Sequence, residues 1–185
     1  MQRTLVDLAI SGDEEAFAGL AAAVGDRLLS IAYRILRDLG RAEDAVQQTL
    51  VIAWRELPSL RDPDRFDAWV HRLLVNACYA EARRARTWTA QVRALPVDRA
   101  APSDDLLRVA HRDQLERGFR RVPPEQRAIF VFHHYLGLSL VEIADQLGVP
   151  LGTVKSRLHY ATSTLRAALE ADLRTPTTNR TERPA

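Results

Sequence analysis

The chain has 185 residues, 46% of them hydrophobic, and a net charge of +2, which fits a soluble globular protein with one ordinary core or two small ones. No apolar run approaches the roughly 18 residues that a membrane span needs, and Asp7 interrupts the candidate signal-peptide core, so a cytoplasmic protein is expected. The single cysteine, Cys78, excludes an internal disulfide, and no Cys/His cluster has zinc-ligand spacing, so neither a metal nor a cofactor is expected.

Two amphipathic helices are predicted in the first 56 residues. Ser11 and Glu14 have capping-box spacing, and a long helix follows to about Arg37, with Gly40 ending it. A second helix covers about residues 41–56. The apolar positions that should face a core are Phe17, Leu20, Val24, Leu28, Ile31 and Ile35 in the first helix and Ala45, Leu50, Ala53 and Trp54 in the second.

A third helix, from about Phe66 to Arg86, follows a polar loop that is bracketed by Pro58 and Pro63. Its apolar stripe is Phe66, Val70, Leu73, Leu74 and Ala77, and its outward positions are His71, Asn76, Tyr79, Arg83 and Arg86. The charge balance changes from −5 over residues 7–67 to +4 over residues 68–93. One helical unit would therefore carry two faces of opposite sign. Arginines beside an aromatic side chain are typical of single-stranded nucleic-acid binding.

The chain is predicted to be all-α, with two small helical domains joined by a flexible linker. Helical periodicity lapses between Thr87 and Pro102. The predicted divisions are a first domain at residues 1–90, a linker at 91–103, a second domain at 104–173 and a disordered tail at 174–185. In the second domain, helices are expected at about residues 104–121, from Pro123 to near Gly137, and in a last segment that continues to about Leu173.

The segment from Ser139 to Leu158 predicts a helix-turn-helix, a motif whose second helix enters the DNA major groove. Ser139 and Glu142 have capping-box spacing, and Gly148 supplies the turn. The apolar anchors are Ile143, Ala144, Leu147, Val154 and Leu158. The residues expected to face outward, which are of the types that reach phosphates and base edges, are Thr153, Lys155, Ser156, Arg157 and His159.

Three segments in this order resemble a bacterial RNA polymerase sigma factor of the extracytoplasmic-function (ECF) group, group 4. They are residues 42–54, residues 66–77, and the stretch Pro124-Glu-Gln-Arg-Ala-Ile-Phe130 that runs into the helix-turn-helix. The resemblance covers roughly residues 5–172. It implies a region 2 bundle that binds the polymerase clamp coiled coil and the minus-ten element, and a region 4 domain that binds the flap and the minus-thirty-five element. It also implies an anti-sigma partner and a stress-responsive or signal-responsive regulon.

The resemblance also implies roles for particular residues. Asp44, Gln47 and Gln48 share one helical surface at i, i+3 and i+4, where they would offer carboxylate and amide groups to the basic clamp helix. Asn76 and the loop 57–67 would hold flipped bases of the minus-ten strand. The residues that would bind this strand are Arg61, Asn76, Tyr79, Arg83, Arg84 and Arg86. The minus-thirty-five element is assigned to the five outward residues of the helix-turn-helix. No catalytic residue is implied.

The chain departs from the family pattern in its second domain. His133 stands where relatives often carry arginine, and Tyr160-Ala161-Thr162 stands where they often carry Arg-Ala-Arg. Each lost cationic contact should lower the salt slope of DNA binding by roughly 0.9. His133, His134 and His159 have no third ligand spaced to complete a metal site.

Two simpler interpretations stay open at this point. Asp44, Gln47 and Gln48 could be a solvated polar face, and the arginines from Arg83 onward could be cations that stabilise a helix C-terminus. The main alternative function is a stand-alone helix-turn-helix regulator that uses its first half to dimerise or to bind a ligand. An enzyme has little support, because no phosphate loop, nucleophile elbow or metal-ligand set is found.

Overall fold

The computed structural model describes residues 2–92 and 116–174, and the regular elements within these ranges are all helices, which confirms the all-α prediction. The two longest 3-10 turns lie between α3 and α4, at Leu57–Ser59 and Pro63–Arg65. The helices are α1 (Gln2–Ile10), α2 (Glu14–Leu36), α3 (Leu39–Glu56), α4 (Phe66–Val92), α5 (its described part, 116–121), α6 (Pro124–His134), α7 (Leu140–Leu147) and α8 (Leu151–Arg174).

Helix α2 is the centre of the N-terminal domain, which consists of α1 to α4. Its apolar residues recur every three or four positions, and Leu20, Leu28, Ile31 and Ile35 are completely buried. Each such side chain contributes about 1.5–3 kcal/mol by leaving water. By length and composition alone α2 could also cross a membrane, contrary to the expectation from apolar runs, but its buried stripe is the one that a core helix of a soluble protein has.

Three details at the N-terminal helix ends differ from the predictions. Asp13, and not Ser11, caps α2 by accepting a hydrogen bond from the Ala16 N–H at 2.9 Å. The Ser11 hydroxyl instead donates to the Leu8 carbonyl oxygen, because the unexpected helix α1 ends there. Helix α2 ends at a left-handed Arg37 rather than at a glycine.

Helix α3 begins two residues before its predicted start. Asp38 is its N-cap and accepts a hydrogen bond from the Arg41 N–H at 3.1 Å. Gly40 therefore lies inside the first turn of α3 and does not end α2. The side chain of an N-cap aspartate satisfies one of the free N–H groups of the first turn, which explains why the helix can start so soon after α2.

Helix α4 is longer than predicted, since it continues through Thr87 to Val92. The lapse in periodicity at Thr87 therefore does not mark the helix end, and the predicted domain boundary at residue 90 falls inside α4. Most of the predicted linker, the predicted helix from residue 104 up to residue 115, and the tail after Arg174 lie outside the described residues.

The helix-turn-helix is confirmed at α7 and α8. The Glu142 N–H donates to Ser139 Oγ at 3.3 Å, and the Ser139 N–H donates to Glu142 Oε2 at 2.8 Å, which completes the predicted capping box. Gly148 ends α7 with a φ of 64°, a conformation that glycine adopts without a steric cost. Ile143 and Val154 are fully buried where the two helices meet.

The N-terminal domain and the C-terminal domain, α5 to α8, are docked on one another. Helix α6 packs on α2 and α4, and α7 packs on α4, so that one apolar core runs through both domains. The Nε of Arg37 donates to Glu116 Oε2 at 3.0 Å, and the Arg34 guanidinium lies 3.9 Å from the centre of the Tyr135 ring. Arg65 forms a second interdomain ion pair with Asp145.

Candidate functional site

The outer face of α3 contains the predicted polymerase-binding residues. Asp44 and Gln47 are exposed and Gln48 is half-buried, while the opposite face of the helix packs on the core through Ala42, Ala45, Thr49 and Ala53. Thr49 is tied down because its hydroxyl donates to the Ala45 carbonyl oxygen at 2.7 Å. The structure therefore brings the three predicted residues together on one accessible surface.

Two apolar side chains on this face were not predicted to belong to it. Val51 lies at the i+7 position from Asp44 and is 46% exposed. Trp54, which was expected in the core, is 38% exposed and stacks on Phe17 with a centroid distance of 4.9 Å. Exposed apolar groups surrounded by polar ones are typical of protein–protein interfaces. The signal was available in the sequence, since Val51 continues the spacing of Asp44, Gln47 and Gln48.

The cationic surface of α4 is partly as predicted. Asn76, Arg83 and Arg86 are exposed, and they follow one another at helical spacing along one side of the helix. Arg84 lies away from this side, and its Nη1 is 2.5 Å from Oε1 of the buried Glu81. The Arg84 side chain is nonetheless exposed, so this pair engages only one end of its guanidinium.

Arg61 lies apart from the arginines at the end of α4. It is exposed and lines a cleft at the start of that helix, together with Trp69 and Arg72. Trp69 is half-buried, with its ring centroid 6.1 Å from that of Phe66.

Tyr79 and His71 were expected to face solvent, but His71 is buried and Tyr79 is half-buried, with its hydroxyl covered. The Tyr79 hydroxyl has no hydrogen-bond partner among the described residues, and burial raises the pKa of this side chain. His71 is 4% exposed, and its ring centroid lies 5.9 Å from that of Phe132 in the C-terminal domain. Burial, together with Arg27, lowers the pKa of His71 to about 4, against a smaller opposing effect of Asp67. The docked C-terminal domain covers this part of α4, which a single-helix pattern cannot predict.

The recognition helix α8 presents only part of its predicted surface. Lys155, Ser156 and His159 are exposed, while Thr153 and Arg157 are half-buried. The positive charge of Arg157 acts on Tyr79 of α4 and partly opposes the rise of its pKa. The side that carries Arg157 is thus turned toward the N-terminal domain.

The turn of the helix-turn-helix also faces the N-terminal domain. A Cβ atom placed on Gly148 would lie 3.8 Å from Arg72 Nη2. Next to it, Asp145 of α7 forms the ion pair with Arg65, which lies in the turn before α4. Both edges of the motif are therefore held against α4 and the turn that precedes it.

The described residues contain no group of three or more His, Cys, Asp and Glu side chains that could hold a metal ion. His133 Nδ1 is engaged by the Leu138 carbonyl oxygen at 2.8 Å, and its ring packs on that of His134. Cys78 is buried, as expected, and burial raises the pKa of its thiol to about 12, which keeps it protonated and unreactive.

Two protein-family models match the chain in the order of its two domains. The model described as sigma-70 region 2 matches residues 20–88, and the model described as sigma-70, region 4 matches residues 112–165. The first match contains α3 and most of α4, and the second contains the helix-turn-helix.

Among curated proteins, the ECF RNA polymerase sigma factor SigM of Mycobacterium tuberculosis is 34% identical over 167 residues, which is 86% of this chain and 80% of SigM. SigL of the same species, also an ECF RNA polymerase sigma factor, is 32% identical over 87% of this chain and 95% of its own length. SigW of Bacillus subtilis is 26% identical over 85% of this chain and 91% of its own length.

Solved structures share the fold. CnrH in complex with the cytosolic domain of CnrY superposes with a TM-score of 0.63 and 29% identity, covering 92% of this chain and 98% of CnrH. The sigma factor RpoE of Bartonella quintana, solved with the anti-sigma factor NepR, gives a TM-score of 0.64 at 23% identity, covering 84% of this chain and 98% of RpoE.

Proposed function

The chain belongs to the family of ECF RNA polymerase sigma factors, and we propose that it works as a dissociable promoter-specificity subunit that contributes no catalytic residue of its own. The relatives support this function over that of a stand-alone helix-turn-helix regulator. By the same reasoning its place of work is the cytoplasm, where the polymerase is.

The outer face of α3 is the proposed contact with the clamp coiled coil of core RNA polymerase. This face is the observation that carries the proposal, because it combines exposed Asp44 and Gln47 with half-buried Gln48 and the apolar Val51 and Trp54. A carboxylate and amides can pair with a basic helix, and the apolar groups supply area that is removed from water on binding. The face is accessible in the docked structure. A regulator that only dimerised would not need an acidic rim on this helix.

The proposed minus-ten surface is the exposed side of α4. Asn76 can hydrogen-bond to a base edge, and Arg83 and Arg86 can follow the phosphates of a single strand. Arg61 would act from the loop before α4. In the docked conformation Arg84 is exposed but paired with Glu81, and the hydroxyl of the half-buried Tyr79 is covered.

The proposed minus-thirty-five surface is the exposed side of α8, formed by Lys155, Ser156 and His159, with Thr153 and Arg157 joining them once uncovered. Two promoter elements about 25 base pairs apart are separated by roughly 85 Å along the DNA. Domains that share one apolar core cannot reach both elements at once. We therefore propose that the domains separate when the protein binds polymerase, with α6 contacting the flap.

An anti-sigma factor is the proposed inhibitory partner. The RpoE structure contains the anti-sigma factor NepR, and the CnrH structure contains the cytosolic domain of CnrY. In this chain, the α3 face is the accessible surface whose coverage would block polymerase binding.

The decisive experiment adds the full chain to core RNA polymerase and tests promoter DNA for strand opening with permanganate. We expect open complexes only when both proteins are present. Specific binding of the chain alone to a palindromic duplex, with no binding to core polymerase, would instead favour the stand-alone regulator.

A further inference from the structure

Five arginines converge on a cleft between the two domains, and the function proposed above does not use four of them. The cleft has a volume of about 510 Å³ and lies where the end of α2 and the starts of α3 and α6 meet α4 and α5. Its charged residues are Arg41, Arg86, Arg120, Arg121 and Arg127, and none of the described residues that line it is a carboxylate.

Arg127 is the least exposed of these arginines. It is 7% exposed, and its Nε and Nη1 have no hydrogen-bond partner among the described residues. Burial, followed by the charges of Arg37 and Arg86, lowers its pKa to about 10, with Glu125 acting in the opposite direction. Both nitrogens are buried, so Arg127 places a positive charge that lacks a hydrogen-bond partner against the wall of the cleft, and an anion in the cleft would lower the cost of burying that charge.

The neighbouring carboxylates neutralise the cleft only in part. Asp38 pairs with Arg41 at 3.7 Å and Glu125 acts on Arg127 from α6, which leaves Arg86, Arg120 and Arg121 as the positive charges of the lining. The positive N-terminal end of α6 opens on the same space through Pro124. The excess of positive charge is therefore a property of the docked structure and not of one helix.

The chemistry of the lining selects the class of ligand. Arginine forks bind phosphate oxygens in a bidentate manner, and several arginines around one space favour several phosphate groups on one molecule. A volume of about 510 Å³ is in the range of small-molecule sites. The backbone of a DNA duplex could reach the exposed Arg120 and Arg121, but a small molecule can also enter the cleft and approach the wall that Arg127 forms.

We propose that this interdomain cleft is a binding site for a small molecule that carries two or more linked phosphate groups. The ligand would bridge Arg120 and Arg121 of α5 to Arg86 of α4, with Arg127 beneath it. Because it contacts both domains, it would favour the docked arrangement over the separated one.

Isothermal titration calorimetry of the full chain with inorganic tripolyphosphate tests the site. Wild type should bind tripolyphosphate at least ten-fold more tightly than orthophosphate, because the extra phosphate groups reach further arginines. The double variant Arg120→Gln/Arg121→Gln, which changes two exposed side chains, should weaken tripolyphosphate binding at least ten-fold. The control Arg3→Gln/Arg55→Gln has the same net charge and should bind as wild type does.

Three results would overturn the proposal. One is the absence of tripolyphosphate binding to wild type, and another is an equal loss in the cleft variant and in the control, which would indicate non-specific charge attraction. The third is displacement of tripolyphosphate by a short DNA duplex that itself loses affinity in the cleft variant, since the arginines would then bind backbone phosphates. Arg127→Gln, checked for folding by circular dichroism, should weaken binding as well, because it removes a positive charge from the wall of the cleft.

Scattering adds a readout that is independent of affinity. Some salt concentrations should separate the domains of the cleft variant and raise its radius of gyration. At these concentrations, wild type with tripolyphosphate should keep its compact radius of gyration. This result does not depend on the sigma-factor function, so its failure and the failure of polymerase binding are separate findings.

Discussion

Arg37 and Glu116 join the two domains, with Arg37 Nε donating to Glu116 Oε2 at 3.0 Å. Both side chains are largely buried, at 11% and 28% exposure, and the Arg37 guanidinium also lies 5.3 Å from the ring centres of Tyr33 and Phe119. A pair that is removed from water and supported on both sides by aromatic rings holds its geometry better than a surface ion pair does. It is the contact through which the docked arrangement can be tested most directly.

Glu116→Gln should loosen the docked arrangement. The substitution leaves Arg37 partly buried without its carboxylate, at a cost of about 1–3 kcal/mol to the docked state. The radius of gyration from small-angle scattering should rise, and proteolysis between the domains should accelerate. Asp26→Asn, on the exposed side of α2, is the control. An unchanged radius of gyration in Glu116→Gln would show that the apolar core alone holds the domains.

Asp44→Ala should weaken binding to core polymerase by about five-fold to ten-fold. The lost group is a charged partner at an interface, and such contacts are worth roughly 1 kcal/mol or more. Fluorescence anisotropy of labelled chain titrated with core polymerase measures the effect. Asp26→Ala removes an equally exposed carboxylate from another helix and should have no effect. If both variants bind equally well, the α3 face is not the contact.

Lys155→Ala and Arg157→Ala should each weaken promoter binding by the holoenzyme. The free energy of promoter binding should become less favourable by about 1–3 kcal/mol where the lost contact is a bidentate one to a base. The loss should be smaller where the contact is to a phosphate. Electrophoretic mobility shift of the reconstituted holoenzyme on promoter DNA measures it, with the exposed Arg166→Ala of the same helix as the control. Binding to core polymerase should be unchanged, and its loss would contradict the division of roles between the domains.

The stability of the protein should fall as the pH is lowered from about 6.5 toward 4. The pKa of His71 is about 4 in the folded protein and near 6.5 when unfolded, so the unfolded state binds an additional proton in this window. Protonation therefore favours unfolding, and the full effect of this one group is about 3 kcal/mol. Urea unfolding at pH 7 and pH 5 should show a smaller loss for His71→Phe than for wild type. His159→Phe, at an exposed position, should behave as wild type does.

Local signals predicted the helix-turn-helix correctly. Ser139, Glu142 and Gly148 act on backbone groups within a few residues of themselves, so their pattern is sufficient to define the turn. The same kind of signal failed at Ser11, where Asp13 is a competing cap two residues away and the outcome depended on where α1 ends. When two candidate capping residues lie only two positions apart, the sequence does not show which of them caps the helix.

Burial between domains could not be predicted in this way. His71 and Tyr79 occupy positions that a single helix would leave to solvent, and the first is buried and the second half-buried because the C-terminal domain packs there. The candidate residues Asp44, Asn76 and Lys155 are exposed among the described residues, as predicted. The prediction of accessibility therefore failed on the part of α4 that the C-terminal domain covers, because the pattern of one helix carries no information about that contact.

The junction between α2 and α3 consists of Arg37, in a left-handed conformation, followed at once by the N-cap Asp38. Only these two cap residues separate the helices, so the connection cannot absorb a change in length. One residue inserted into α3 after its cap would rotate everything beyond it by about 100°, and the side that carries Asp44 would turn into the core. Insertions and deletions that an ordinary surface loop tolerates would therefore disrupt this domain. The number of residues between Arg37 and Asp44 is constrained as strongly as the identity of any single side chain.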